Sequence, residues 1–259
     1  MITPNETRLA KHCISHAKAC GASAARVYLN KCVTDSYTIL NGELDKVTHS
    51  ADRSIYIYLY VDGRYGTFST NRLEEKELED FVVKAIEMVR MLGEDECRQL
   101  PAPSRTAKDA VTGYELGLYD SSYESMDSQT RLANAHKLSI YDKIINDPEE
   151  KPYRLISEEC EYSCTSDESY TADSQGFEGR HSETAFGTFS EMTIQDKDGN
   201  RYSGYWWQAT PMDAETDFEG CGMMALERAV KQIGPKKRRS GRYRMVVDTS
   251  VASRLVSPL

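Results

Sequence analysis

Two runs of alternating side chains meet at an Asn-Gly pair, and this constrains the fold more than any other feature of the chain. Residues 26–40 and 43–50 flank Asn41-Gly42. A two-residue hairpin loop needs positive φ at both positions, which Asn and Gly adopt at little cost. The period of two continues through residues 53–61, and Asp62-Gly63 turns the chain again into 64–69. This predicts an antiparallel meander. Within 54–60, Ile55, Ile57 and Leu59 share one face while Tyr56, Tyr58 and Tyr60 share the other. A helix is expected to cover the tyrosine face. One follows at once: Asn71 and Glu74 frame its start, Leu78, Phe81, Val82, Ala85, Ile86 and Val89 form its apolar stripe, and Gly93 ends it. Ahead of the meander, Thr3-Pro4-Asn5-Glu6 combines a hydroxyl cap, a first-turn proline and a glutamate three residues on, the reciprocal capping box. Leu9, Cys13, His16/Ala17 and Cys20 then fall on one helical stripe, and Gly21 supplies the left-handed stop.

Residues 93–112 are polar, contain Pro101-Ala102-Pro103, and read as a linker. A second unit begins near Tyr114. Residues 127–146 form a helical pattern stopped by Asp147-Pro148. Strands are expected at 153–164, 169–173, 184–195 and 201–209, the last two joined at Asp198-Gly199. Asp217 caps a further helix, 218–233, which Gly234-Pro235 ends. A basic run leads to one more expected strand, 243–248, and to an unfinished apolar pattern at 251–259 that reads as a truncation. The expected fold is α+β: two successive units of antiparallel sheet covered by helices, plus the start of a C-terminal domain. The expected boundaries are 1–105, 106–234 and 235–259.

Charge and cysteine usage narrow the function classes. The 259 residues carry a net charge of −9, a surface that repels nucleic acid on average. No apolar run approaches the about 18 residues of a membrane helix, and the N-terminus lacks the basic-then-apolar pattern of a secretory signal. Seven cysteines without framework spacing fit reduced thiols, so a cytoplasmic location is expected.

No familiar catalytic constellation stands out. His12 and His16 sit one helical turn apart, the spacing of helical zinc sites, but Cys13, Ile14 and Ser15 between them provide no glutamate base, and ordinary helix histidines are the default. Cys160 and Cys164 lie in a strand pattern that separates them by roughly 13 Å at about 3.3 Å per residue, too far to share a metal or a disulfide. His181 reads as a loop histidine, with a general-base role as the sharper alternative. The chain has no Gly-x-Ser-x-Gly elbow and no phosphate-binding glycine loop. The acidic stretch 213–219 reads either as a cation-binding segment or, by default, as negative charge placed at a helix N-terminus. Lys236, Lys237, Arg238, Arg239, Arg242 and Arg244 form the basic run, which reads either as a nucleic-acid patch or as a solvated loop. Tyr202, Tyr205, Trp206 and Trp207 are either contacts for substrate or partner, or packing on a sheet face.

Two segments resemble the TldD/PmbA (TldE) family. One is residues 52–70, DRSIYIYLYVDGRYGTFST, with the Glu-rich amphipathic helix that follows. The other is 235–248, PKKRRSGRYRMVVD, followed by VASRL at 251–255, which is similar to the start of that family's C-terminal domain. The resemblance implies a soluble protease system, historically called "modulator of DNA gyrase". Its TldD-type subunit carries zinc on a His-Glu-x-x-x-His helix and pairs with a PmbA/TldE-type subunit lacking that motif. Together they trim unfolded peptides, including bacteriocin leader peptides and antitoxins. On that pattern the His-Glu pair would fall near Ser257-Pro258, and no His-Glu pair occurs anywhere in this chain. The resemblance therefore implies a PmbA/TldE-type, non-catalytic subunit with no catalytic, cofactor or metal residues of its own. Zinc is expected in a TldD-type partner, in a heterodimer or higher assembly, with a homodimer as the other arrangement. The alternative is an adaptor that binds a gyrase or nucleic-acid complex through residues 236–244.

Overall fold

The structure is a computed structural model and describes residues 2–258. Its centre is one six-stranded antiparallel sheet. The strands are β1 (Ala24–Leu40), β2 (Glu43–Val61), β3 (Arg64–Thr70), β4 (Tyr153–Asp173), β5 (Glu178–Asp196) and β6 (Arg201–Thr210), in the spatial order β3-β2-β1-β4-β5-β6. The expected α+β fold holds, with its two antiparallel units joined edge to edge. The seam is the β1–β4 pair, which runs from Arg26↔Asp173 to Leu40↔Glu159 without a register break. The hairpins fall where the turn residues placed them. Asn41 (φ 51°), Gly42 (φ 84°), Asp62 (φ 48°) and Gly63 (φ 70°) all take the positive φ that such loops require.

The helices lie on one side of the sheet. Helix α1 (Pro4–Ala19) starts with the complete capping box: the Thr3 hydroxyl accepts from the Glu6 amide, and the Glu6 carboxylate accepts from the Thr3 amide at 2.7 Å. It packs with α2 (Glu75–Arg90) over Val27, Leu29, Ile55, Ile57 and Leu59. This corrects the expectation that a helix covers the tyrosines. Helix α2 takes the fully apolar face, because burying Ile and Leu gains transfer free energy without stranding a hydroxyl.

On the β4–β6 half, a short turn of helix, α3 (Ser122–Ser125), precedes α4 (Ser128–Leu138) and α5 (Tyr141–Ile145). Residues 127–146 are thus two helices, not one. Glu158, fully buried on β4, accepts from the backbone amides of Ile140 (2.8 Å) and Tyr141 (3.2 Å) and from the Ser139 hydroxyl. Those bonds take the amides out of the α4 ladder and start α5. Burial pushes the Glu158 carboxyl above its ordinary range, despite these donors. Helix α6 (Phe218–Val230) is capped by Asp217, which accepts from Gly220 at 2.9 Å. It docks on β6 at Gly204, where a Cβ would lie 2.3 Å from the Ala229 nitrogen and 2.5 Å from the Ala225 oxygen. Tyr37, Cys160, Tyr162, Cys164 and Phe186 form the core beneath α4 and α6.

The expected strand at 243–248 does not form. Residues 241–248 lie against no other strand, are exposed except for Val247, and lead to the short α7 (Ser253–Val256). A β-branched run becomes a strand only where a neighbouring edge accepts it.

Candidate functional site

With the packing helices on one side, no described helix packs on the opposite face of the sheet, hereafter the open face. Strand alternation decides which residues line it. On the first three strands these are Tyr28, Tyr56, Tyr58, Tyr60 and Tyr65. The rings of Tyr28 and Tyr56 are 5.9 Å apart, those of Tyr60 and Tyr65 5.1 Å, and the Arg98 guanidinium lies 5.3 Å from the Tyr65 ring. Partial burial, followed by the neighbouring Tyr65, pushes the Tyr58 and Tyr60 hydroxyls above the usual phenol value, so they remain neutral donors. In the middle of the face, Asn30 donates to Asp167 at 3.0 Å and Thr34 bonds Thr165 at 3.0 Å. At the β5–β6 end, Phe189 lies opposite Trp207 and stacks on Tyr205 with ring centroids 6.5 Å apart.

Alternation also divides the four aromatic residues of β6. Tyr202 and Trp206 turn toward α6 and pack in its core, with the Arg228 guanidinium 4.3 Å from the Trp206 ring centre. Tyr205 and Trp207 turn the other way and remain 43% and 53% exposed. Packing therefore accounts for two of the four, and the open face for the others.

The sheet also has a free edge. β3 pairs with β2 only over Ile55–Val61, so residues 43–54 of β2 have β1 as their one strand partner among the described residues. Leu44 and Val47 in this arm are 45% and 51% exposed.

The remaining residues singled out by the sequence are accounted for individually. His181 lies within β5, not in a loop, and its ring bonds Glu183 at 3.0 Å. Cys160 and Cys164 are buried free thiols in the α4–α6 core. Burial pushes the Cys164 thiol up to about 11. In the acidic stretch, Asp213 accepts from the Tyr162 hydroxyl at 2.8 Å and Glu219 pairs with Lys143 at 2.9 Å. The basic residues 236–244 are exposed and lie outside any helix or strand. His12 and His16 do come together with a third group, Glu79 of α2. That partner is not legible from residue spacing, because it lies across a helix–helix contact.

Family comparisons agree with this architecture. The family model described as PmbA/TldA metallopeptidase domain 1 matches residues 25–89, and the PmbA/TldA metallopeptidase central domain matches residues 124–233. The chain belongs to the PmbA/TldD family. Among solved structures, a protein from Bacteroides thetaiotaomicron described as a modulator of DNA gyrase is 33% identical. It aligns over 100% of this chain and 57% of its own, with a TM-score of 0.84. A Thermotoga maritima protein given the same description is 19% identical over 91% of this chain and 50% of its own, TM-score 0.67. TldE from Thermococcus kodakarensis is 15% identical over 87% and 47%, TM-score 0.58. The last two likenesses are of fold alone. This chain spans about half the length of these relatives. Among curated proteins none matches it significantly.

A metallopeptidase family implies zinc. From residue 235 to 258 the chain offers no histidine or cysteine, and its one carboxylate, Asp248, accepts from Ser250 and pairs with Arg228 at 3.2 Å. That donor set does not fit a catalytic zinc.

Proposed function

We propose that this chain is the non-catalytic, PmbA/TldE-type subunit of a TldD/TldE-type zinc metallopeptidase assembly that degrades or trims unfolded peptides. The observation that carries the reading is the uncovered aromatic and hydroxyl-rich sheet face. An antiparallel sheet commonly leaves one face to solvent. What supports a binding role here is that this face gathers aromatic rings into patches, the kind of surface that marks an interaction site. Here the open face pairs neighbouring aromatic rings at both ends with Ser, Thr and Asn in the middle, a surface suited to an extended peptide of varied sequence. The free edge of β2 adds main-chain donors and acceptors that accept a further strand. In this reading Trp207 and Tyr205 contact substrate or partner, while the catalytic zinc and its base belong to the TldD-type subunit.

The test is affinity purification of the natural chain from its own cells. A stoichiometric His-Glu-x-x-x-His partner, with zinc and peptidase activity in the complex but not in this chain alone, supports the proposal. Recovery of the chain alone and inactive removes it. The second reading, an adaptor for a gyrase or nucleic-acid complex, draws on the exposure of residues 236–244. Co-purification of a topoisomerase or nucleic acid, lost when Lys236, Lys237, Arg238 and Arg239 become alanine, decides for it.

A further inference from the structure

We propose that His12, His16 and Glu79 form a binding site for a divalent transition metal that clasps helix α1 to helix α2. Their donor atoms all lie within 4.8 Å of one another. His12 Nε2 is 2.8 Å from Glu79 Oε1, and the two imidazole rings stack with centroids 6.0 Å apart. Tetrahedral ligands at about 2.0–2.1 Å from zinc stand roughly 3.4 Å apart. The cluster meets that spacing with small side-chain rotations.

The backbone holds the donors in place. Four residues of helix set both histidines on one face. The buried Leu9, Cys13 and Ala17 beside them fix that face against the sheet, while the buried Leu78 and Val82 of α2 fix Glu79 opposite. All three donors are partly exposed, so an ion reaches them without unfolding.

The neighbouring charges favour a cation. Glu75 Oε1 lies 4.0 Å from His12 Nε2, and Arg8, the nearby positive group, is bonded to the other Glu75 oxygen at 2.9 Å. Cys20 Sγ sits 3.5 Å from His16 Nε2, so a soft donor borders the cluster. Two imidazoles and one carboxylate select zinc, nickel or copper over calcium or magnesium, which prefer all-oxygen shells. The site stands apart from the open sheet face and does not depend on the peptidase reading.

The experiment titrates the purified, metal-free chain with zinc chloride by calorimetry, and with cobalt chloride by visible absorption. The expected result is one ion per chain with micromolar affinity, a cobalt spectrum of low-coordinate N/O ligation, and a zinc-dependent rise in melting temperature. His16→Ala and Glu79→Gln should each weaken binding at least tenfold and abolish the thermal shift, with unchanged circular dichroism. His181→Ala, at the other His-Glu contact, should change nothing. Binding no tighter than millimolar, or equal binding by the His12→Ala/His16→Ala double variant, overturns the site.

Discussion

Adjacent tryptophans on β6 provide a direct test of the two-faced sheet. Trp206 packs beneath α6, whereas Trp207 is 53% exposed on the open face. A tryptophan hides roughly 150–250 Å² when buried, at about 25 cal/mol per Å². Allowing for the part of Trp206 that stays exposed, Trp206→Ala costs about 3 kcal/mol, and loss of the Arg228 contact adds about 0.5–1 kcal/mol. Trp207→Ala, with about half of the side chain already in water, gives up about 2 kcal/mol, its pairing with Phe189 included. The difference of about 1.5–2 kcal/mol is tenfold or more in the unfolding constant. Urea unfolding followed by circular dichroism reads it directly. The order should reverse in a binding assay with peptide or partner, where Trp207→Ala weakens capture and leaves the fold intact. Equal destabilisation by the two substitutions would refute the assignment of faces.

Other substitutions probe separate joints. Gly204→Ala puts a methyl against the α6 backbone, which has to shift; a loss of about 1–3 kcal/mol is expected, lowering the melting temperature by several degrees. Glu158→Leu leaves the Ile140 and Tyr141 amides without an acceptor and should cost about 2–4 kcal/mol by thermal melts, with Glu158→Gln intermediate because its amide keeps one accepting oxygen and loses the other. Burial opposes ionisation of Glu6, but the Thr3 amide and hydroxyl and Arg53 overcome it and hold its carboxyl below the ordinary 4.5. The folded state therefore favours the charged form. The contribution is present above pH 4.5 and fades as pH falls below it, so Glu6→Gln should flatten the acid limb of the stability–pH curve. Burial pushes the Cys13 thiol up to about 12, whereas Cys97 is exposed. Alkylation of the native protein at pH 8, mapped by mass spectrometry, should label Cys97 first and Cys13 only on unfolding.

What the sequence disclosed was local. The Thr3–Glu6 box, the Asn41-Gly42, Asp62-Gly63 and Asp198-Gly199 turns and the Asp217 cap each depend on a few adjacent residues, and each stands where it was expected. What it concealed was long-range. Nothing near Tyr56 says which sheet face meets a helix, because that depends on whether α2 gains more from Ile57 or from Tyr58. Glu158 breaks a helical pattern from the opposite wall of the core. The run Tyr243–Val247 resembles a strand until one asks which edge would receive it. The split of Trp206 from Trp207 was available in principle, since neighbours in a strand point to opposite faces. Glu79, in contrast, joins His12 only through the packing of α1 on α2.

The β1–β4 seam has a consequence for how the molecule is assembled. Every pair along it joins residues more than a hundred positions apart, so the chain must close a long loop before the middle of its sheet exists. Strand β1 finishes early in synthesis and waits, with one edge unpaired, until β4 emerges. Such waiting edges attract foreign strands, and non-local pairings of this kind slow folding. The same geometry makes the two halves complementary fragments. Cut within the polar connection between α2 and α3, each would present the edge that the other lacks, and mixing them should rebuild the sheet across the break.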